Sequence, residues 1–171
     1  ASDVYKRQVM LSSVDNLEER ARSIVLRLLE KGPKTSAQLL EVLAANEIPI
    51  EIAKPLIERF TEVELINDQL YAQDLADASR RTKGLARSMV KRKLESKGLD
   101  RELINQVASE ITDEDELLVA TELAMKRFGQ LSHLDSDVRN RRLVGFLQRR
   151  GFGSSIVFAA IREAESHAVK S

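Results

Sequence analysis

The chain has no cysteine or tryptophan, and only seven glycines and three prolines among its 171 residues. Without cysteine there is no disulfide and no thiol chemistry, which suits a reducing compartment, and we expect the cytoplasm. Few helix-breaking residues beside abundant Leu, Ala, Glu, Lys and Arg predict an all-α fold without a sheet. No apolar run approaches the roughly 20 residues that cross a bilayer, so we expect no membrane partner.

Patterns typical of catalysis are also scarce. The two histidines, His133 and His167, are expected in a loop and near the C-terminal end, where exposed, unengaged side chains are the simpler interpretation, and no nucleophile signature is present. The acidic run at 112–116 is interpreted as the first turn of a helix, where the helix dipole favours acids, and not as a cation site. We therefore predict a protein that is not an enzyme and that has no cofactor, no metal and no small-molecule substrate.

Charge is distributed unevenly along a chain whose formal net charge is zero. Residues 1–79 contain 9 Lys or Arg and 14 Asp or Glu, whereas residues 80–101 contain 9 Lys or Arg and only 2 acids. A basic segment inside a neutral protein indicates a surface that contacts an acidic partner or nucleic acid. For any single cation, a solvated helix face is the simpler interpretation.

The chain repeats itself with a period of about fifty residues. When Leu43, Leu94 and Leu147 are aligned, spaced 51 and then 53 residues apart, apolar residues coincide at four further positions. These sets are Leu39, Val90 and Leu143; Ile48, Leu99 and Phe152; Leu56, Val107 and Ala160; and Ile57, Ala108 and Ile161. Such self-similarity predicts an array of supersecondary units.

We predict three tandem three-helix repeats that form an elongated, curved array: residues 14–68, 69–111 and 112–171. Residues 1–13 do not fit the periodicity and are expected to be a non-native or disordered tail, with Met10 as a candidate natural start. Because no long heptad pattern is present, we expect a monomer and not a coiled-coil dimer.

Capping residues predict where the helices begin and end. In the first repeat helices are expected near 15–31, 35–46 and 50–65, with Pro55 predicting either a kink or a start nearer Lys54. In the second repeat Gly84 and Gly98 bound the middle helix, which buries Val90 and Leu94, and Asp100 caps the next one.

The third repeat contains the segment RRGFGSS, residues 149–155. It follows a predicted helix and not a strand, so a phosphate-binding loop is not indicated. We predict instead a helix end at Gly151, a buried Phe152 and a cap at Ser154. Earlier in the repeat, helices are predicted from a cap at Thr112 to a stop at Gly129, and from Ser136 or Asp137.

Short motifs then resemble those of a known family. They are Lys83 and Gly84, Val90, Leu94 and residues 97–99 in the second repeat; Leu143, Phe146, Leu147 and residues 149–152 in the third; and LINDQLYA at 65–72. In order and spacing they resemble the RecX family over residues 17–166. The first repeat departs from the pattern, since Asn46 and Glu47 stand where the others have a cation followed by glycine, and Lys93 stands where the other repeats have Val42 and Phe146.

The resemblance implies a non-enzymatic regulator of the RecA recombinase in homologous recombination, DNA repair and the SOS response. Such a protein would bind the groove of the RecA–DNA filament and restrain filament growth, ATPase, strand exchange and coprotease activity. The residues expected to contact the filament or DNA are Arg80, Arg81, Lys83, Arg87, Lys91, Arg92, Arg141, Arg142, Arg149 and Arg150. The alternative is a sequence-tolerant DNA-binding helical-repeat or helix-turn-helix protein without a RecA partner.

Overall fold

The fold is built from helices alone in residues 2–171, the range that the computed structural model describes. In chain order the helices are α1 (Ser2–Glu30), α2 (Ser36–Ala45), α3 (Ile50–Glu62), α4 (Asp68–Lys83), α5 (Arg87–Ser96), α6 (Arg101–Ser109), α7 (Asp113–Gln130), α8 (Ser136–Arg149) and α9 (Ser154–Lys170). They form three successive groups of three, so the predicted all-α repeat fold is confirmed. None of these helices has the length and apolar content needed to cross a bilayer.

The apolar register inferred from the sequence corresponds to burial in all three repeats. The anchors Leu43, Leu94 and Leu147 are 0% exposed, as are the residues four positions before them. Ile48, Leu99 and Phe152 are buried too, and so are both sets of residues further on in the third helix of each repeat. Because each set occupies one place in a three-helix unit, the repeats bury the same stripe of side chains.

Each repeat also ends its middle helix with the same turn. Glu47, Gly98 and Gly151, one at each equivalent position, have φ values of 61°, 71° and 94°. After α8 the Phe152 amide donates to the Leu147 carbonyl, and after α2 the Ile48 amide donates to the Leu43 carbonyl, as in a Schellman motif. The predicted helix end at Gly151 with a buried Phe152 is therefore confirmed.

The chain divides into two compact units, of which the first contains residues up to 71 together with 97–99. Its core is formed by apolar side chains of α1, α2 and α3, among them Val25, Leu39 and Ile57. Thr35 caps α2 through a capping box with Gln38. The Thr35 hydroxyl also donates to the Lys97 carbonyl at 2.7 Å, so one buried side chain both caps a helix and fastens the segment 97–99.

The second unit contains residues 72–96 and 100–171. Its most extensive helix contact joins α7 to α9, where alanines such as Ala120, Ala124 and Ala160 are fully buried. Small side chains let two helix backbones approach closely. Leu143 and Leu147 of α8 complete the core, and Ala86 at the start of α5 belongs to the same cluster.

Two helix starts in the first repeat differ from prediction. The first helix, expected near residue 15, begins at Ser2, so residues 2–13 are helical and not disordered, and their side chains are exposed. That residues 1–13 are non-native stays a prediction. A helix without a buried face has no apolar period in its sequence, which is why the pattern missed it. In α3 the alternative start near Lys54 is also wrong, because the helix begins at Ile50 with Pro49 as N-cap and contains Pro55.

Two boundaries in the third repeat also differ from prediction by a residue or two. Gly129 lies inside α7, which continues to Gln130 and is followed by the C-cap Leu131. Leu131 is 6% exposed, so continuing the helix through the glycine brings an apolar side chain into the core. Ser154 is already helical, and Gly153 is the N-cap of α9.

Candidate functional site

The ten cations predicted to contact a partner all lie in the second unit, and they differ in exposure. Six of them are exposed to solvent: Arg81, Lys83, Arg92, Arg141, Arg142 and Arg149. The other four, Arg80, Arg87, Lys91 and Arg150, are partly buried. The basic segment thus contains cations that face solvent and cations that contact the rest of the chain.

Arg80 is bound within the fold. Its guanidinium lies 2.8 Å from Glu116 Oε1, and the two side chains are only 14% and 8% exposed. The same carboxylate oxygen accepts a hydrogen bond from the Arg87 backbone amide at 2.9 Å. Glu116 therefore links the end of α4, the start of α5 and the first turn of α7, and Arg80 neutralises its charge where water is largely excluded.

Arg87 has a similar internal role. Its Nη1 donates to the Ile111 carbonyl at 2.7 Å and its Nη2 pairs with Asp113 at 2.9 Å. These bonds fasten the side chain to the segment that leads into α7. Arg80 and Arg87 are predicted to contact a partner, and in the structure both guanidinium groups bind acceptors within the second unit.

The start of α7 is ordered by its own cap. The Thr112 hydroxyl and amide both donate to Asp115 Oδ2 at 2.9 Å, and the Asp115 amide donates to the Thr112 hydroxyl. Hydrogen bonds from the Thr112 backbone and side chain hold the pKa of Asp115 below its usual value. The predicted N-cap at Thr112 is confirmed, and the acids of residues 113–116 occupy the first helical turn.

A second joint connects the start of α5 to the end of α8. The Ala86 amide donates to the Arg150 carbonyl at 3.0 Å, and the Ser88 hydroxyl donates to the Gly151 carbonyl at 2.7 Å. The Arg150 guanidinium donates to the Lys83 carbonyl. These hydrogen bonds bring cations of the second and third repeats together.

These contacts place a cleft of about 700 Å³ in the second unit, among the end of α4, the middle of α7 and the end of α8. Four cationic side chains besides Arg80 line it: Arg81, Lys83, Lys126 and Arg150. Asp77 and Glu122 are its acidic residues, and Val119 and Leu123 contribute apolar surface. We call this feature the cationic cleft.

An aromatic ring positions two of the arginines in this region. Arg150 lies 4.6 Å from the centroid of the Phe146 ring, and Arg127 lies 5.3 Å from it. A cation near an aromatic face is attracted by the ring quadrupole. Phe146 was identified in the sequence only as part of a motif, and the ring has the further effect of restraining both guanidinium groups.

The cations predicted from the sequence to form the basic surface do not include Lys126 and Arg127. Both are exposed and lie near the end of α7, where cations were interpreted only as favourable for a helix C-terminus. Their position four to five residues before Leu131 could have suggested a polar face beside a core residue. Nothing in the sequence places Lys126 near residues 81–83, which line the same cleft and precede it by more than forty positions.

Comparison with known families agrees with this architecture. The family model described as "RecX, second three-helix domain" matches residues 67–107, and "RecX, third three-helix domain" matches residues 113–161. Together these matches cover more than half of the chain. The chain belongs to the RecX family.

Individual RecX proteins match over most of their length. Regulatory protein RecX of Streptomyces coelicolor is 39% identical over 146 residues, which are 85% of this chain and 78% of the relative. Regulatory protein RecX of Thermobifida fusca is 33% identical over 149 residues, covering 87% and 80%. These relatives bear the name of regulatory proteins, and membership places this chain in a family of regulators.

A solved structure shows the same fold. The crystal structure of RecX from Lactobacillus salivarius superimposes with a TM-score of 0.80 at 20% identity, covering 88% of this chain and 98% of that one. A second RecX crystal structure gives a TM-score of 0.77 at 22% identity, covering 92% and 77%. At such identity the likeness concerns the helical fold, which agrees with the repeat architecture described above.

Proposed function

We propose that the chain regulates the RecA recombinase by binding the RecA–DNA filament. The observation that carries the proposal is the concentration of exposed cations in the second and third repeats of a chain that belongs to the RecX family. Bound in the filament groove, the chain restrains filament growth, ATPase, strand exchange and coprotease activity. It acts by occupying a surface, and no reaction takes place on the chain itself.

The exposed cations suit such a contact. Arg81 and Lys83 end α4, Arg92 lies on α5, and Arg141, Arg142 and Arg149 lie on α8. A nucleoprotein filament carries a high density of phosphate, and Lys and Arg neutralise phosphate without regard to base sequence. Long-range attraction also speeds the encounter with an oppositely charged surface. The binding is therefore expected to weaken as salt rises.

The test is RecA's DNA-stimulated ATPase and strand exchange, measured with the chain in stoichiometric excess. We expect both activities to fall. If both stay unchanged, the proposal is refuted.

A charge-reversed triple variant examines the surface itself. Arg141→Glu, Arg142→Glu and Arg149→Glu together should weaken inhibition at least about tenfold, because three long-range attractions become repulsions. The matched control reverses the same number of exposed cations in the first unit: Lys31→Glu, Lys54→Glu and Arg59→Glu. Both variants must keep the wild-type circular dichroism spectrum. Equal inhibition by the two variants would remove the exposed α8 cations from the contact.

The second candidate function is DNA binding without a RecA partner, and the same exposed cations favour it. The two functions predict different relative affinities for the RecA–DNA filament and for bare DNA. A filament regulator binds RecA–DNA filaments more tightly than bare DNA at every salt concentration. A general DNA binder shows a steep fall in affinity with salt and no preference for the filament.

A further inference from the structure

The cationic cleft is a concave site that the proposed function does not by itself require. Three helices converge on it, with Arg81 and Lys83 from the end of α4, Lys126 from α7 and Arg150 from the end of α8. Its volume of about 700 Å³ falls within the range of ligand-binding clefts. An exposed basic helix face would form no such cavity.

One wall of the cleft is held in place before any ligand binds. The Arg150 guanidinium donates to the Lys83 carbonyl and lies against the Phe146 ring, 4.6 Å from its centroid. The Arg150 backbone carbonyl is fixed in turn by the Ala86 amide. A guanidinium whose position is already restrained loses less conformational entropy when it binds a carboxylate or phosphate.

The residues that line the cleft favour a carboxylate ligand of a peptide over the phosphates of a nucleic acid. Asp77 and Glu122 stand among the cations, and Val119 and Leu123 add apolar surface. A nucleic-acid backbone carries phosphates at short, regular spacing and would meet the two acids as well as the cations. An acidic peptide has its carboxylates on separate side chains, so it can avoid the acids and place an aliphatic side chain on the apolar surface.

We propose that the cationic cleft binds a short acidic segment of a protein partner, with one or two carboxylates on Arg81, Lys83, Lys126 and Arg150 and an aliphatic side chain near Val119 and Leu123. Phe146 is a positioning residue, since it acts through Arg150. The inference rests on the proposed function only in taking the partner to be a protein.

The experiment uses the full chain and a fluorescein-labelled peptide of sequence Glu-Glu-Leu-Glu-Glu, with its Gln-for-Glu analogue as a probe of charge. By fluorescence anisotropy the acidic peptide should bind saturably and the Gln analogue at least about tenfold more weakly. Lys126→Ala should weaken binding of the acidic peptide about tenfold. Lys54→Ala removes an exposed cation of the first unit that does not line the cleft, and it should leave the affinity unchanged.

Phe146→Leu tests the positioning role. It keeps an apolar side chain and removes the ring, so peptide affinity should fall by about two- to fivefold while the Gln analogue is unaffected. Circular dichroism and the melting temperature show whether the variant is folded. A folded Phe146→Leu protein with wild-type peptide affinity would overturn the role of the ring.

Three results would overturn the cleft proposal: no saturable peptide binding, equal binding of the Gln analogue, or full affinity in Lys126→Ala. Competition by an oligothymidylate whose own binding is also lost in Lys126→Ala would assign the cleft to nucleic acid instead.

RecA inhibition measured in parallel separates the two proposals. A chain that inhibits RecA without binding the peptide removes only the cleft proposal, and a chain that binds the peptide without affecting RecA removes only the function.

Discussion

The turn after the middle helix of each repeat contains one residue in the left-handed conformation. Opposite substitutions at this position in two repeats test what that conformation costs. Glu47 and Gly151 occupy equivalent places with φ values of 61° and 94°. A side chain in the left-handed region costs about 1–2 kcal/mol, whereas glycine there loses about 0.5–1 kcal/mol more backbone entropy on folding. We therefore expect Glu47→Gly to raise the free energy of unfolding by about 0.5–1 kcal/mol.

The reverse change should be harmful at Gly151. A β-carbon there would lie 2.4 Å from Met89 Cγ and 2.6 Å from the Ser88 hydroxyl oxygen, and that hydroxyl also donates to the Gly151 carbonyl. Strained φ and displaced neighbours together predict that Gly151→Ala lowers stability by about 2–4 kcal/mol.

The control is the same substitution at a glycine in ordinary helical surroundings. Gly129 lies within α7 and a β-carbon there would meet nothing within 4 Å, so Gly129→Ala should stabilise by up to about 1 kcal/mol. Urea unfolding followed by far-ultraviolet circular dichroism measures all three variants, with stability compared through the midpoint at unchanged m. A destabilised Glu47→Gly, or a Gly151→Ala within about 0.5 kcal/mol of wild type, would refute the shared turn.

Three further predictions concern single contacts. Arg80→Ala should lower the free energy of urea unfolding by about 3 kcal/mol because it strands the buried Glu116 carboxylate, and a loss below about 1 kcal/mol would contradict the internal ion pair. Phe152→Ala should lower it by about 3–5 kcal/mol, since the ring is 4% exposed, and a loss under about 1 kcal/mol would place the ring in solvent. Asp115 has a folded-state pKa below its unfolded value, so its stabilising effect is complete above the unfolded pKa and is lost as pH falls through the folded one. Nuclear magnetic resonance should show the α7 N-cap opening only in this acidic range, and Asp115→Asn should abolish the transition. An opening near neutral pH would disprove that protonation of Asp115 opens the cap.

The apolar register was predictable because burial imposes it three times. A single helical stripe is a weak signal, but coincidence at five positions in three segments leaves few alternatives. The turn residues were predictable at Gly98 and Gly151 for the same reason. At Glu47 only the alignment with Gly98 and Gly151 indicates a left-handed conformation, because a residue other than glycine rarely adopts it.

The contacts of the basic segment could not be read from the sequence. Arg80 and Arg81 are neighbours in a run of cations, yet one lies in an ion pair with Glu116 and the other is exposed. The difference depends on an acid thirty-six residues away, whose approach is set by how α7 packs. Helical periodicity states which side of a helix is polar, but it does not state which polar residue meets a partner from another helix.

This difference decides how the surface has to be tested. Helical periodicity alone predicts that reversing Arg87 together with Lys91 and Arg92 alters only an exposed helix face. In the structure a carboxylate at position 87 would stand beside Asp113 and the Ile111 carbonyl, so like charges would meet where a cation now bridges them. Weaker binding by such a variant would follow from a disturbed α7 N-terminus as readily as from a lost partner contact. Arg92 and the exposed α8 cations have no such internal bond among the hydrogen bonds and ion pairs found in residues 2–171, and their reversal reports on the surface itself.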